Sequence, residues 1–187
     1  MSDFKIVFVH GYTASSKADW YPAISKELNK LGIKYVIPDL PGGEHPHASE
    51  WLEKIHHEVK KIRPPIVLVG HSLGTRAVLL YLEKYPRKVH AVFLIAAFAN
   101  RVENAQRYDK NAYSDFFEHK IAIEKIKSQV GKFIVIHSKD DPLDYEQGVE
   151  IANDLGAKLI TANGRGHLSE PESASYILEI LHQELNF

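Results

Sequence analysis

Ile66-Val67-Leu68-Val69-Gly70-His71-Ser72-Leu73-Gly74-Thr75 is the stretch on which the reading of this chain turns. Ile66 to Val69 is a continuous apolar run that follows Pro64-Pro65. Such a run suits a strand buried on both faces of a parallel sheet. From Leu73 to about Tyr85 the pattern becomes helical. Gly70-x-Ser72-x-Gly74 therefore sits at a strand-to-helix turn. A serine there has a strained backbone, and its flanking glycines remove side chains that would collide across the turn. The hydroxyl is pushed out above the sheet, and the next backbone N–H, on Leu73, opens a helix N-terminus suited to a developing oxyanion.

The same alternation recurs on both sides. Lys5 to Val9, Lys34 to Ile37, Val89 to Ala97, Phe133 to His137 and Lys158 to Thr161 read as further strands. Helices are expected over about Ala18–Leu31, with Trp20, Ile24, Leu28 and Leu31 on one face, and over about Ser49–Ile62. Others are expected around Tyr145–Leu155 and Ser173–Glu184. Six strands alternating with helices predict a mainly parallel α/β sheet covered on both faces, with right-handed crossovers. The 187 residues are read as one domain, 1–187. The polar stretch Asn100–Val130 interrupts the pattern: helical over Lys120–Lys127, and before that either a small lid or a long connection.

A serine hydroxyl needs a base near neutral pH. His167, in Asn163-Gly164-Arg165-Gly166-His167, follows the last strand and belongs at the sheet edge where Ser72 emerges. His71, adjacent on the turn, has poor geometry for that task and is read as a packing or supporting residue. The imidazole in turn needs an acceptor on its other nitrogen. Ser138-Lys139-Asp140-Asp141-Pro142 offers two, and spacing does not separate them; the neighbour would serve a turn or a helix cap. A chain order of serine, acid, histidine is that of α/β-hydrolases rather than of chymotrypsin-like or subtilisin-like enzymes. The second oxyanion donor is expected from the loop after the first strand, His10-Gly11-Tyr12, with Gly11 allowing close approach and the Tyr12 N–H donating.

Composition narrows the remaining choices. With 23 basic and 24 acidic residues and a net charge of −1, nothing calls for nucleic acid. The absence of cysteine removes disulfides, thiolate metal sites and thiol nucleophiles. No metal is expected: His45 and His47 lie beside Glu44, but without a zinc-binding spacing. No dinucleotide or Walker pattern calls for a cofactor. The longest apolar run, Ala91–Ala99, is far below the roughly 18 residues of a membrane span. The N-terminus enters a strand without a leader-like pattern, so a soluble, cytoplasmic protein is the expectation.

Longer blocks carry a resemblance. Val9-His10-Gly11-Tyr12 through Asp19-Trp20 to Leu28, Pro38-Asp39-Leu40-Pro41, Glu50 to Val59, Leu68 to Gly74, Ser138 to Pro142 and Gly164 to Glu170 together resemble a small serine-hydrolase family. That family includes bacterial YdeN-like proteins and the vertebrate retinoblastoma-binding serine hydrolases. The likeness covers nearly the whole chain. It implies a short α/β-hydrolase without the first antiparallel strands or a large cap, with sheet order 2-1-3-4-5-6. It also implies carboxylesterase-like activity, with Asp141 rather than Asp140 as the acid. One departure stands out: the family's valine-proline after the acid is replaced by Pro142-Leu143-Asp144-Tyr145.

The expected reaction is attack by Ser72 on a small acyl substrate, with His167 as base and Asp141 orienting it. Gly11, His71, His45 and Phe98 are candidates for lining the substrate site. Phe98, Tyr113, Phe116 and Phe117 would form an apolar wall or lid, or else anchor the long connection to the core. Acyl transfer by the same residues is the rival chemistry. A different-class rival keeps the fold and uses the surface around His45 or Tyr113 for a protein partner.

Overall fold

The computed structural model describes residues 4–98 and 112–187. Six parallel strands, β1 (Lys5–Val9), β2 (Lys34–Val36), β3 (Ile66–His71), β4 (Ala91–Ile95), β5 (Phe133–Ser138) and β6 (Lys158–Ala162), form one sheet. Their order is β2-β1-β3-β4-β5-β6, the order the resemblance implies. Crossing between them are α1 (Tyr21–Lys30), α2 (Ala48–Val59), α3 (Leu73–Lys84), α4 (Ile123–Lys127) and α5 (Tyr145–Leu155), and α6 (Ser173–Leu185) follows β6.

The period-2 alternation of a strand divides the interior into two layers. Ile6 and Phe8 of β1 pack with Tyr21, Ile24 and Leu28 of α1 and with Ile177 and Leu181 of α6. Val7 and Val9 point the other way, into a core with α2, α3 and α5. Strands sandwiched in this manner carry no polar face, which is why β1, β3 and β4 read as unbroken apolar runs. Register then gathers the chain's reactive residues. Val9 pairs with Gly70, His71 with Ile95 and Ser138 with Ala162, so the loops after β1, β3, β5 and β6 all leave along one edge.

Several expected boundaries move, each for a local reason. The first helix begins at Tyr21 rather than near Ala18, because Asp19 adopts a left-handed φ of 51°. Leu31 does not share the buried face of that helix: it is the C-cap residue and 52% exposed. The second helix ends at Val59, although Ile62 remains buried beyond it. The fourth strand is shorter than Val89–Ala97, since Val89 forms only an isolated bridge to Val130 and Ala96 turns to φ 51°. Within Asn100–Val130, the helix narrows to Ile123–Lys127, preceded by a 3-10 turn over Ser114–Phe117. The expected lid or connection lies outside the described residues over 100–111. The remainder is docked: Phe116 is fully buried against Trp51, and Arg76 donates to the carbonyls of Phe116 and His119 at 2.7 and 2.6 Å. Among the described residues no helix is long and apolar enough to cross a membrane.

Candidate active site

Ser72 is the hinge between β3 and α3, with φ 53° and ψ −125°, a conformation a serine holds only when its surroundings impose it. The imposition is visible. Its N–H donates to Ile95 O at 2.9 Å, and its carbonyl accepts from both Thr75 N–H (2.9 Å) and Thr75 Oγ1 (2.6 Å). The two glycines are demanded by space: a Cβ on Gly70 would lie 2.7 Å from Gly74 O, and one on Gly74 would lie 2.6 Å from His10 O. The expected elbow is therefore present, with Ser72 half-buried at its tip.

His167 reaches the same point from the loop after β6. Its Nε2 accepts from Ser72 Oγ at 2.9 Å, while its Nδ1–H donates to Asp141 Oδ1 and Oδ2 at 2.9 and 3.0 Å. Three residues separated by 69 and 26 positions in sequence thus form one hydrogen-bonded chain. The Asp141 side chain is fully buried, whereas a quarter of the His167 ring (24%) meets solvent. Asp141 Oδ1 also accepts the Leu143 N–H at 2.8 Å, a tight turn that fixes the carboxylate on its own loop.

Asp140, which spacing alone did not separate from Asp141, takes a different place. Its carboxylate accepts from Ser138 Oγ at 2.5 Å, Gly166 N–H at 3.1 Å and Arg165 N–H at 3.2 Å. The Ser138 and Gly166 bonds hold its pKa down at about 2. Asp140 thus ties the turn before His167 to the end of β5, while Asp141 meets the ring itself. Asp144 is the N-cap of α5 and accepts the Glu146 N–H at 3.1 Å.

The loop after β1 runs directly beside the serine: a Cβ on Gly11 would lie 3.0 Å from Ser72 Cβ. His10 fixes that loop. Its Nε2 accepts the Leu40 N–H at 2.9 Å, so its Nδ1 carries the hydrogen and donates to Gly11 O, also at 2.9 Å. Burial pushes its pKa down and keeps the ring neutral. Tyr12 donates its hydroxyl to Glu44 O at 2.6 Å and sets its ring edge-on to Tyr113, 5.1 Å away. Leu73 opens α3 with its side chain buried, leaving its backbone at the helix N-terminus.

The chain's other candidates fall into two groups. His71 is brought to the array. Its ring is 5.2 Å from that of His167, and its Nε2–H donates to the His167 carbonyl at 3.0 Å. Burial and the neighbouring His167 push its pKa down to about 3, so it supports the loop as a neutral donor. His45 is exposed on the loop that Tyr12 grips through Glu44. Phe98 is buried in the core and stacks on Phe117 at 5.6 Å, which makes it an anchor of the long connection.

The serine hydrolase family model matches residues 6–177, nearly the whole chain. The chain belongs to the serine hydrolase family. YdeN of Bacillus subtilis (strain 168) is 29% identical over 171 residues, covering 90% of this serine hydrolase and 87% of its relative. The serine hydrolase RBBP9 of Rattus norvegicus is also 29% identical, over 175 residues, with 91% and 90% covered. The crystal structure of the YdeN gene product superposes with a TM-score of 0.87 at 24% identity, across 98% of this chain and 99% of that one. The family is an enzyme family, and this member keeps a serine, an imidazole and a carboxylate in hydrogen-bonded sequence.

Three residues of this serine hydrolase escaped the sequence reading. His10 carried a signal, since it precedes Gly11 in the loop already singled out. Asp19 did so only through its place before Trp20; its Oδ2 lies 3.9 Å from the buried Nδ1 of His71, and burial raises its pKa. His137 had none, being one polar letter at the end of an apolar strand. It lies fully buried behind Asp141.

Proposed function

We propose that this protein is a carboxylesterase-like serine hydrolase, one α/β-hydrolase domain, acting on small acyl esters through Ser72, His167 and Asp141. The observation that carries the reading is the unbroken path from Ser72 Oγ to His167 Nε2 and from His167 Nδ1 to Asp141, at 2.9 Å on each side of the ring. That geometry supports the chemistry step by step. Ser72 Oγ forms a bond to the acyl carbon as His167 Nε2 takes its proton, and the carbonyl π electrons move onto oxygen. Asp141 stays ionised and stabilises the imidazolium. The N–H groups of Tyr12 and Leu73 receive the oxyanion, a contribution worth about 3 kcal/mol per donor in comparable sites. Collapse of the intermediate expels the alcohol, protonated by His167, and leaves an acyl-serine. Water, deprotonated by the same ring, attacks that ester and returns the carboxylic acid and free Ser72.

Hydrolysis of p-nitrophenyl esters from acetate upward tests the reading. Release of p-nitrophenol is expected from the wild type and is expected to vanish in Ser72→Ala, with the fold retained by circular dichroism. Full turnover by that variant would refute it. Adding an alcohol acceptor and analysing the products separates transfer from hydrolysis, since transfer yields a new ester instead of the free acid.

A further inference from the structure

His137 lies on β5, a strand whose Phe133 and Val135 face the α5 side and whose Ile134 and Ile136 face the other. Alternation therefore turns the His137 ring toward α5, into an otherwise apolar layer, and leaves it with no solvent exposure. A polar ring in that position is costly unless it is hydrogen-bonded. Its Nε2 faces two acceptors, Leu143 O at 3.3 Å and Asp141 Oδ2 at 3.4 Å. Because Leu143 O can only accept, Nε2 carries the hydrogen and donates to it, with Asp141 Oδ2 beside that N–H. Burial lowers the pKa of the ring, which keeps it a neutral donor.

The opposite helix makes room for this ring. Gly148 is the only glycine within α5, where glycine is disfavoured relative to alanine by about 1 kcal/mol. A Cβ at that position would lie 2.8 Å from His137 Cγ and 2.9 Å from its Cβ, closer than such atoms approach. Tyr145, at the start of the same helix, meets the imidazole edge-on at 5.9 Å and 89°. Asp141 is consequently flanked on both sides. Oδ1 takes the Leu143 N–H, Oδ2 lies over His137 Nε2, and both oxygens face His167 Nδ1.

We propose that His137 is a positioning residue for the reaction: seated in the space left by Gly148, it holds Leu143 O, whose own N–H holds Asp141 Oδ1, and it stands behind Asp141 Oδ2, so that it fixes the plane in which the carboxylate meets His167. The inference rests on the reading of Asp141 as the acid of the triad. It makes the acid loop and its surroundings a unit of five residues, His137, Asp141, Leu143, Tyr145 and Gly148.

The test uses p-nitrophenyl acetate turnover, the rate of Ser72 labelling by a fluorophosphonate, and thermal unfolding, measured on His137→Leu, His137→Gln, His137→Asn, His137→Ala, Gly148→Ala and the last two combined, with Asp141→Asn alongside. Misplacing a reacting group by about 1 Å costs roughly 100-fold, so His137→Leu is expected to lose about 10- to 100-fold in kcat with KM nearly unchanged. His137→Gln, whose amide N–H reaches where Nε2 stood, is expected to recover most of kcat, and the shorter Asn is not. Gly148→Ala should lower kcat in the wild type yet cost nothing further in His137→Ala. Unchanged kcat in His137→Leu, with only thermal stability reduced, would make the ring mere packing and overturn the proposal. Should His137→Leu fail to fold, equal kcat in the Gln and Asn variants would overturn it instead. Undiminished activity in Asp141→Asn would instead mark the triad reading itself as the failure.

Discussion

Asp140 and Asp141 are neighbours in sequence with unlike tasks, and substitution should separate them. Asp141 meets both the His167 ring and the Leu143 N–H, so Asp141→Asn removes the acceptor that sets the tautomer. A loss of about 10,000-fold in kcat is expected, as in other enzymes with this arrangement. Asp140→Asn leaves the ring untouched and weakens the ties to Ser138, Arg165 and Gly166, so a loss of about tenfold or less is expected. Steady-state kinetics on one ester decides between them; a larger loss at Asp140 would reverse the assignment. The elbow at Ser72 was legible in the sequence because it is a local event, in which strain and crowding are resolved by residues two positions away. The choice between the aspartates was not, because it depends on which carboxylate a loop 26 residues later comes to meet. His137 was illegible for the same reason: its partner Gly148 and its partner Asp141 lie on different elements.

Among the elements, those built on their own periodicity were the ones the sequence announced. The strands read as apolar runs because both faces are covered, and their order followed once the resemblance was granted. Boundaries shifted where a single backbone angle ended an element, as at Asp19 and Ala96, and such angles leave no periodic trace. Long-range caps leave none either. The first N–H of α2, on Ala48, donates to Asp115 Oδ2 at 2.8 Å, across 67 residues. Asp115→Ala is expected to lower stability by about 1 kcal/mol, with Asp115→Asn restoring most of it, as read by urea unfolding. No change in Asp115→Ala would mean that solvent serves the helix end equally well. A heavier loss is expected from Gly74→Ala, where the added methyl meets the backbone of Val9 and His10. That crowding should cost at least ~2 kcal/mol or prevent folding, and a stable, active Gly74→Ala protein would contradict the packing of α3 against β1.

Across the whole molecule, the site rests on histidines buried as neutral rings, and that has a consequence for pH. Burial takes the His71 pKa from 6.5 down to about 3, and pushes His10 and His137 in the same direction. Between those limits the unfolded chain binds a proton that the folded His71 does not. Stability is therefore full above pH 6.5 and is lost as the pH falls toward 3, by on the order of 5 kcal/mol from His71 alone. The expected result is a melting temperature that drops steeply from pH 7 to pH 4, with a shallower drop in His71→Gln. An equal drop in both would show that His71 does not carry the effect. The sheet brings the loops after β1, β3, β5 and β6 to one edge, and everything proposed for the chain depends on Ser72 being the nucleophile there. The most direct measurement is intact-mass and peptide analysis after treatment with a fluorophosphonate. One adduct per chain, on Ser72, formed with loss of fluoride and slowed at least ~100-fold by His167→Ala, is the result predicted. A folded protein that takes no adduct, or takes it on another residue, would contradict the account.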